Sequence, residues 1–432
     1  MIDIAKIFID IFYEKIYKEE LYWIEETSND IILNIFEYLE EKDIYSIMQT
    51  NKKYNNIINE NRLWQEKCKQ KIKKQIQIEY GDKYDKNDKN MKEYENRIIE
   101  EIKEFYKEDK YWIEVYKRIV YIQKNKGKGI FYWLGCYDQK NHKNNNTYSN
   151  PGRIYKDKLQ IIRVSCSSVD QGKLEKWVDF EKNTLWTENG GDEYFLCDIG
   201  SNLRIIPYSY SMRYGSKGSK VFPKDWKLQA SIDCINWFDL SVHTDDTSFS
   251  NDTDSNGDYS FSQWQILPHS HYYTSFRYFR IKLSNTHCID PNWNKRLVCS
   301  SFELYGCLLI DNNFSTKIDL LHNTNILQLI HNIYSLKPID YFINNISITN
   351  SNCNSPITFF GENIFHLAVK YNHIDLVRYL VHNFNIKITL PIDSGESFFD
   401  FSSPPVYKFL SKLHIDRLQS ILSNFCDNNS LF

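Results

Sequence analysis

The chain has 432 residues and a formal charge of −3 at pH 7, a length for about three domains and a balance that provides no global field toward nucleic acid or a membrane surface. Aromatic residues make up 16% of it, enough core material to argue against disorder of the whole chain. Its ten cysteines include no Cys-x-x-Cys pair and no tight Cys/His cluster, and no apolar run reaches the length of about 18 residues that would span a bilayer, so the expectation is a cytoplasmic or nuclear protein with free thiols, without metal or cofactor.

In residues 1–25, Ile4, Ile7, Phe8, Ile11 and Phe12 recur at helical spacing and predict an amphipathic helix. Asp3, Lys6 and Asp10 interrupt its apolar run and no small-residue cleavage site follows, which is not the pattern of a secretory leader.

Residues 26–66 open with Thr27 and Asp30 in the Ser/Thr-x-x-Asp/Glu spacing that caps a helix. Ile31, Ile32, Ile35, Phe36 and Leu39 follow at helical intervals, Asp43 starts a second helix with Ile44, Ile47 and Met48, and a third turn holds Tyr54, Ile57 and Ile58 before Leu63-Trp64. Helices this short cannot bury so much apolar surface alone, at roughly 25 cal/mol for each Å² left wet. They must dock on the rest of the chain or in a partner's groove. The stretch SNDIILNIFEYLEEKDIYSIMQTNKKYNNIINENRLW resembles the F-box. It departs from that family at Thr27-Ser28, where Leu-Pro is usual, and at Asn51 and Tyr54, in the usual Cys-Arg-x-Trp. The resemblance implies binding to the Skp-type adaptor of a cullin ubiquitin ligase through Ile31, Leu33, Ile35, Phe36, Leu39, Ile44, Ile47 and Trp64. The sequence does not divide these residues between partner interface and internal core.

Residues 67–126 read as a helical linker. Ile98, Ile99, Ile102, Phe105 and Tyr106 mark one helix, Trp112, Val115, Tyr116 and Ile119 another, and the polar stretch 81–92 a loop between helices. The basic run 67–74 is balanced by nearby Glu and Asp, which is the pattern of a solvated helix face.

Residues 127–309 hold most of the glycine and eight short strand-like runs, at 159–165, 194–200, 208–215, 226–231, 237–243, 260–266, 276–284 and 300–306. Strands of this length between Gly/Asn/Asp turns predict an antiparallel β-sandwich of the jelly-roll type. Trp226-x-Leu228-x-x-Ser231-x-Asp233-x-x-x-Trp237, with GIFYWLGC, YSNPG, RYFRIKLSN and SSFELYG, is similar to the discoidin, galactose-binding-like family. That resemblance implies a ligand or target read by the loops. Asn189, Asp192, Lys217, Lys220, Trp293 and Arg296 are the loop candidates, Trp293 either stacking on a ligand or packing on the sandwich. The loop DTDSNGD at 252–258 fits half of a calcium loop, but Gln263 stands where the closing Glu is needed, so it reads as a solvated acidic hairpin.

Residues 312–425 return to helical spacing, with blocks at 325–343, 363–381 and 406–422 and a period of about 33 residues. GENIFHLAVKYNHIDLVRYLV resembles an ankyrin repeat, which implies that His366 and His373 bond in turns rather than hold a metal. The fold class expected overall is therefore multidomain α plus β: F-box-like helices, a central antiparallel jelly roll and ankyrin-like repeats. No phosphate loop, zincin helix, nucleophile elbow or paired zinc ligands stands in the sequence, which argues against catalysis by this chain. Read together, the resemblances imply a substrate receptor that binds the Skp-type adaptor and cullin complex and an unidentified target, with no nucleic acid and no membrane. The alternative is a non-catalytic glycan- or peptide-binding scaffold outside the ubiquitin system.

Overall fold

The structure, a computed structural model, describes residues 29–37, 39, 44, 56–58, 61–81, 89–123, 128–137, 161–178, 185–213, 223–249, 261–268, 274–284, 295–314, 324–346, 348–349, 353–357, 362–384, 386 and 404–412. The helix expected over 1–25 lies outside them, as do the loop at 252–258 and most of the helix expected after Asp43.

Among the described residues, four helices precede the sheets: α1 (Asn29–Phe36), α2 (Asn61–Tyr80), α3 (Lys89–Phe105) and α4 (Trp112–Arg118). Each buries one stripe. On α2 it runs Leu63/Trp64, Lys67/Cys68, Ile72, Gln75/Ile76 and Tyr80, steps of about one turn. On α3 it runs Met91, Tyr94/Glu95, Ile98 and Ile102. The charged residues between them point outward and pair locally, as Lys103 does with Glu100 and Lys107 with Glu104.

The sandwich consists of β1 (Ile119–Ile122), β2 (Arg163–Cys166), β3 (Tyr194–Asp198), β4 (Leu203–Arg213), β5 (Trp226–Ser231), β6 (Phe238–His243), β7 (Phe261–Gln265), β8 (Tyr278–Leu283) and β9 (Ser301–Ile310), with helix α5 (Ile130–Tyr137) between β1 and β2. One sheet has the order β1-β9-β4-β7 and the other β2-β3-β8-β5-β6, with every ladder antiparallel. The facing sides bury Phe195, Trp226, Leu228, Phe279, Ile281, Tyr210, Leu304 and Leu308, around Trp177 stacked on Phe302.

The first strand corrects the sequence reading. Ile119 had the spacing to continue α4, but it begins a strand paired with Leu309. Ile119-Val120-Tyr121-Ile122 is a β-branched and aromatic run, and β9 presents a free edge that closes its hydrogen bonds. The sandwich therefore draws in residues from the segment expected as a linker.

The four-stranded sheet is apolar on both faces. Ile205, Tyr210, Leu304, Leu308 and Ile310 face the sandwich interior, whereas Ile206, Tyr208, Cys307 and Leu309 join the helical core. A bulge at Pro207/Ser209 shifts the register of β4. The extra residue moves the inward set from odd to even positions, so Ile205 and Tyr210 share a face. Gly306 pairs with Pro207 there at φ +145°, and a Cβ would lie 2.2 Å from the Ile206 carbonyl oxygen. Only glycine fits that approach.

The C-terminal part contains α6 (Thr324–Tyr334), α7 (Ile339–Asn345), α8 (Ile364–Lys370) and α9 (Ile374–Asn383). α6 packs on α8 and α7 on α9, around Ile333, Phe342, Leu367, Leu376 and Leu380. Helical residues 404–412 add Val406 and Leu410 to this core. The helical block expected over 325–343 consists of α6 and α7, separated where Leu336 takes φ +50° before Pro338. Glu362, at the start of α8, is nearly buried and accepts from Arg163 of β2 at 3.0 Å and Lys370 at 2.8 Å, which ties the tail to the sandwich edge.

Candidate functional site

The residues singled out in 26–66 resolve into a buried set. Leu33, Phe36, Leu39, Ile44 and Trp64 are each no more than 4% exposed and belong to the core shared with α2, α3, α4 and the outer face of the four-stranded sheet. For these five the sequence had left interface and interior open, and the structure puts them in the interior. The side chains of Ile31 and Ile35, and residue Ile47, lie outside the described set.

A polar brace holds this corner. Trp64 donates its indole N–H to the Ile58 carbonyl at 2.6 Å and packs against the Tyr116 ring at 5.2 Å. Lys67 is itself buried, and its Nζ donates to the carbonyls of Glu37 at 2.6 Å and Leu39 at 2.7 Å. Those carbonyls follow the C-terminal end of α1, where a cation complements the helix dipole. Asn61 bridges to α4, accepting from the Trp112 N–H and donating to the Lys110 carbonyl. The sequence reading placed Lys67 in a solvated basic run. The available signal was its position one turn from Leu63/Trp64, on the apolar stripe rather than opposite it.

The loop candidates of the sandwich scatter. Asn189 is exposed and accepts from the Lys295 backbone N–H at 3.1 Å, while Asp192 pairs with Lys282 at 3.1 Å. Arg296 is engaged, ion-paired to Asp170 and bonded to the Thr187 carbonyl. Lys217, Lys220 and Trp293 lie outside the described residues. The structure thus brings Asn189 and Arg296 to one end of the sandwich, where 187–193 meets 295–297, and shows Arg296 committed to internal contacts. Gly190 and Gly191 let that loop turn over Glu193, which accepts from both Ser167 and Ser168 hydroxyls.

Two clusters bear on catalysis. Ser241, His243 and Asp246 stand in the order of a hydrolytic triad, with Ser241 Oγ 3.0 Å from His243 Nε2 and Asp246 2.7 Å from Nδ1. A second hydroxyl, from Tyr210, takes the same Nε2 at 2.5 Å, and the ring lies flat on Trp226 at 3.9 Å. The nitrogen that would activate the serine is already shared, and the cluster fastens β6 to the core. Among the described thiols, burial pushes Cys68, Cys299 and Cys307 each up to about 12, so they stay protonated and are poor nucleophiles. Among the described residues no group of three or more His, Cys, Asp or Glu side chains is placed to hold a metal, and no helix is long and apolar enough to cross a membrane.

Comparison with known proteins bears first on the N-terminal corner, where the F-box-like family model matches residues 29–70. The E3 ubiquitin-protein ligase hecd-1 of Caenorhabditis elegans is 28% identical over 182 residues, 41% of this chain and 6% of that protein. A BTB/POZ domain-containing protein of Arabidopsis thaliana is 30% identical over 115 residues, 26% of this chain and 13% of that protein. The E3 ubiquitin-protein ligase Ufd4 of Drosophila melanogaster is 26% identical over 150 residues, 34% of this chain and 5% of that protein. The matches span only 5 to 13% of the length of these relatives. Among solved structures, CBM32-3 from a family 31 glycoside hydrolase of Clostridium perfringens is similar at 13% identity, covering 34% of this chain and 91% of that one with a TM-score of 0.26. The C-terminal domain of a chitobiase from Bacteroides fragilis is similar at 11% identity, covering 34% and 93% with a TM-score of 0.25. By the first of these matches, the corner built from α1 and the start of α2 is an F-box-like segment.

Proposed function

We propose that the chain is a non-catalytic substrate-recognition subunit of a Skp-cullin-F-box ubiquitin ligase, its F-box-like segment binding the adaptor and its sandwich, with the helical tail, selecting the target. The observation that carries this reading is the F-box-like match at residues 29–70, on a segment that shares one core with the sandwich. A hook fused to a recognition body fixes the distance between target and ligase, and the subunit then acts by raising effective concentration. Two relatives named as E3 ubiquitin-protein ligases agree with that setting. On α1 the buried stripe is Ile32, Leu33 and Phe36. With Leu33, Phe36, Leu39, Ile44 and Trp64 in the interior, the sequence candidates Ile31, Ile35 and Ile47 are the adaptor-facing residues on this reading.

The test is capture of the full chain by a purified Skp-type adaptor. The expected result is a complex that Ile35→Asp weakens by a few kcal/mol, as a charge placed in an apolar contact does, with the unfolding midpoint unchanged. Absence of capture by the folded wild-type chain overturns the proposal. The alternative, a glycan- or peptide-binding scaffold outside the ubiquitin system, draws on the burial of Leu33, Phe36, Leu39, Ile44 and Trp64 within the chain itself. It is favoured if a glycan or peptide binds the full chain and the adaptor does not.

A further inference from the structure

The two sheets differ on their outer faces. The helices cover the four-stranded sheet. On the five-stranded sheet the inward residues are buried and the outward ones, among them Tyr194, Leu196, Lys227, Gln229, Arg280 and Lys282, are half-exposed. The ladders line these up in two rows across the strands: Tyr194, Lys282, Lys227 and Val242, and beside them Leu196, Arg280, Gln229 and Asp239.

Arg280 is held ready at the centre. Its guanidinium lies 3.9 Å from the centroid of Trp237 and 5.9 Å from that of Tyr194, and Nε donates to Gln229 Oε1 at 2.8 Å. Stacking and this one bond fix the plane of the group. Its terminal nitrogens meet no carboxylate in ion-pair range among the described residues, since Asp239 and Asp192 pair with Lys227 and Lys282. Lys227 and Lys282 face each other directly across β5 and β8, an arrangement of like charges that costs energy. Apolar side chains flank the cations: Val242 is 57% exposed and Ile235, at the tip of the β5–β6 hairpin, 79%. The tip is rigid, because Asp233 accepts from the Ile235 and Asn236 backbone N–H groups and Ser231 Oγ accepts from those of Asp233 and Cys234.

We propose that this outer sheet face, centred on Arg280 stacked on Trp237, docks an extended acidic segment of a partner protein. A carboxylate side chain fits the terminal nitrogens of the guanidinium in bidentate fashion and leaves neighbouring apolar residues to cover Leu196, Val242 and Ile235. Charge complementarity selects this occupant: of three cations on the adjacent strands β5 and β8, Arg280 makes no ion pair with a carboxylate among the described residues. The inference deepens the reading that the sandwich selects a target, and it locates that selection on the sheet rather than the end loops.

The test selects displayed random peptides on the full chain, then measures fluorescein-labelled winners by anisotropy beside versions with Asp/Glu replaced by Asn/Gln. Expected are enrichment of acidic peptides, affinity lower by at least about tenfold for Arg280→Gln and for the amide peptides, and an intermediate loss for Arg280→Lys, which keeps the charge without the fork. Circular dichroism of both variants verifies the fold, and the amide peptides supply a readout that needs no variant. Selection without acidic enrichment, or equal affinity in Arg280→Gln, overturns the proposal. So does concentration-dependent self-association that Arg280→Gln abolishes, which assigns the face to a second copy of the chain. Adaptor capture on the same preparations is the separate readout. If it fails while acidic peptides still bind through Arg280, the ligase reading falls and this one stands.

Discussion

Lys67 shows how one charged side chain can be structural. Its ammonium is out of water, yet two carbonyls past the end of α1 accept from it, so the cost of burial is offset by bonds those carbonyls would otherwise lack. Lys67→Met keeps the stem and removes the donor. It is expected to destabilise the chain by about 2 kcal/mol, read as a lower urea midpoint. Glu303 is the converse case. It is buried on β9 and accepts from the backbone N–H groups of Phe131 at 2.7 Å, Tyr132 at 2.9 Å and Leu304 at 3.0 Å, which caps α5. Burial pushes its carboxyl up to about 8 from the ordinary 4.5, against the pull of those donors. The folded state thus holds this proton more tightly than the unfolded chain does. The stability it contributes is complete below about 4.5 and lost as pH rises through about 8. Thermal unfolding across that window should therefore show a falling midpoint whose slope is reduced in Glu303→Gln; an unchanged slope would show that another group titrates.

At the scale of elements, caps decide where helices begin. Asn363 and His366 form a reciprocal capping box at the start of α8. His373 accepts from the Leu376 N–H at the start of α9, and its Nε2 meets the Lys337 carbonyl at 2.7 Å. One imidazole therefore both starts α9 and joins it to the turn before α7. His373→Ala removes both roles and should cost about 1 to 2 kcal/mol, seen as faster amide exchange across α7 and α9 while sandwich amides keep their protection. Equal acceleration in the sandwich would mean that the tail and sandwich unfold as one unit. The bulge in β4 works the same way for strands, since one added residue gives the four-stranded sheet two apolar faces.

For the whole molecule, the shared core is the main consequence of those two faces. Tyr80 donates to the Ile266 carbonyl at 2.8 Å, and the Tyr106 hydroxyl donates to the Ile310 carbonyl and accepts from its N–H. Glu101 accepts from the backbone and hydroxyl groups of Thr274 and Ser275. The helices and the sandwich should therefore unfold in one transition. Tyr106→Phe is expected to lower its midpoint without splitting it, checked by coincident far- and near-ultraviolet circular dichroism. Two separated transitions would show that the helices are an independent domain.

The existence of the strands from β2 to β9 was legible in the sequence because alternation and turn residues are local properties; β5 falls at the expected residues, whereas β4 begins at Leu203 rather than at 208 and β9 runs on to Ile310. The stripe of α4, the C-terminal part of that of α3 and the F-box-like pattern were legible for the same reason, whereas the α2 stripe was hidden in the basic run 67–74. What the chain alone left open was which surface each stripe meets. Leu33 and Phe36 have the same spacing whether they face a partner or Tyr208's side of the sheet. Ile119 fits a helix or a strand until the edge of β9 is known. Arg280 and Trp237 lie 43 residues apart in sequence order and meet only through the pairing of β5 with β6 and β8. Periodicity sets the faces of each element, but tertiary packing alone decides what covers them, because the energy gained depends on partners distant in the chain.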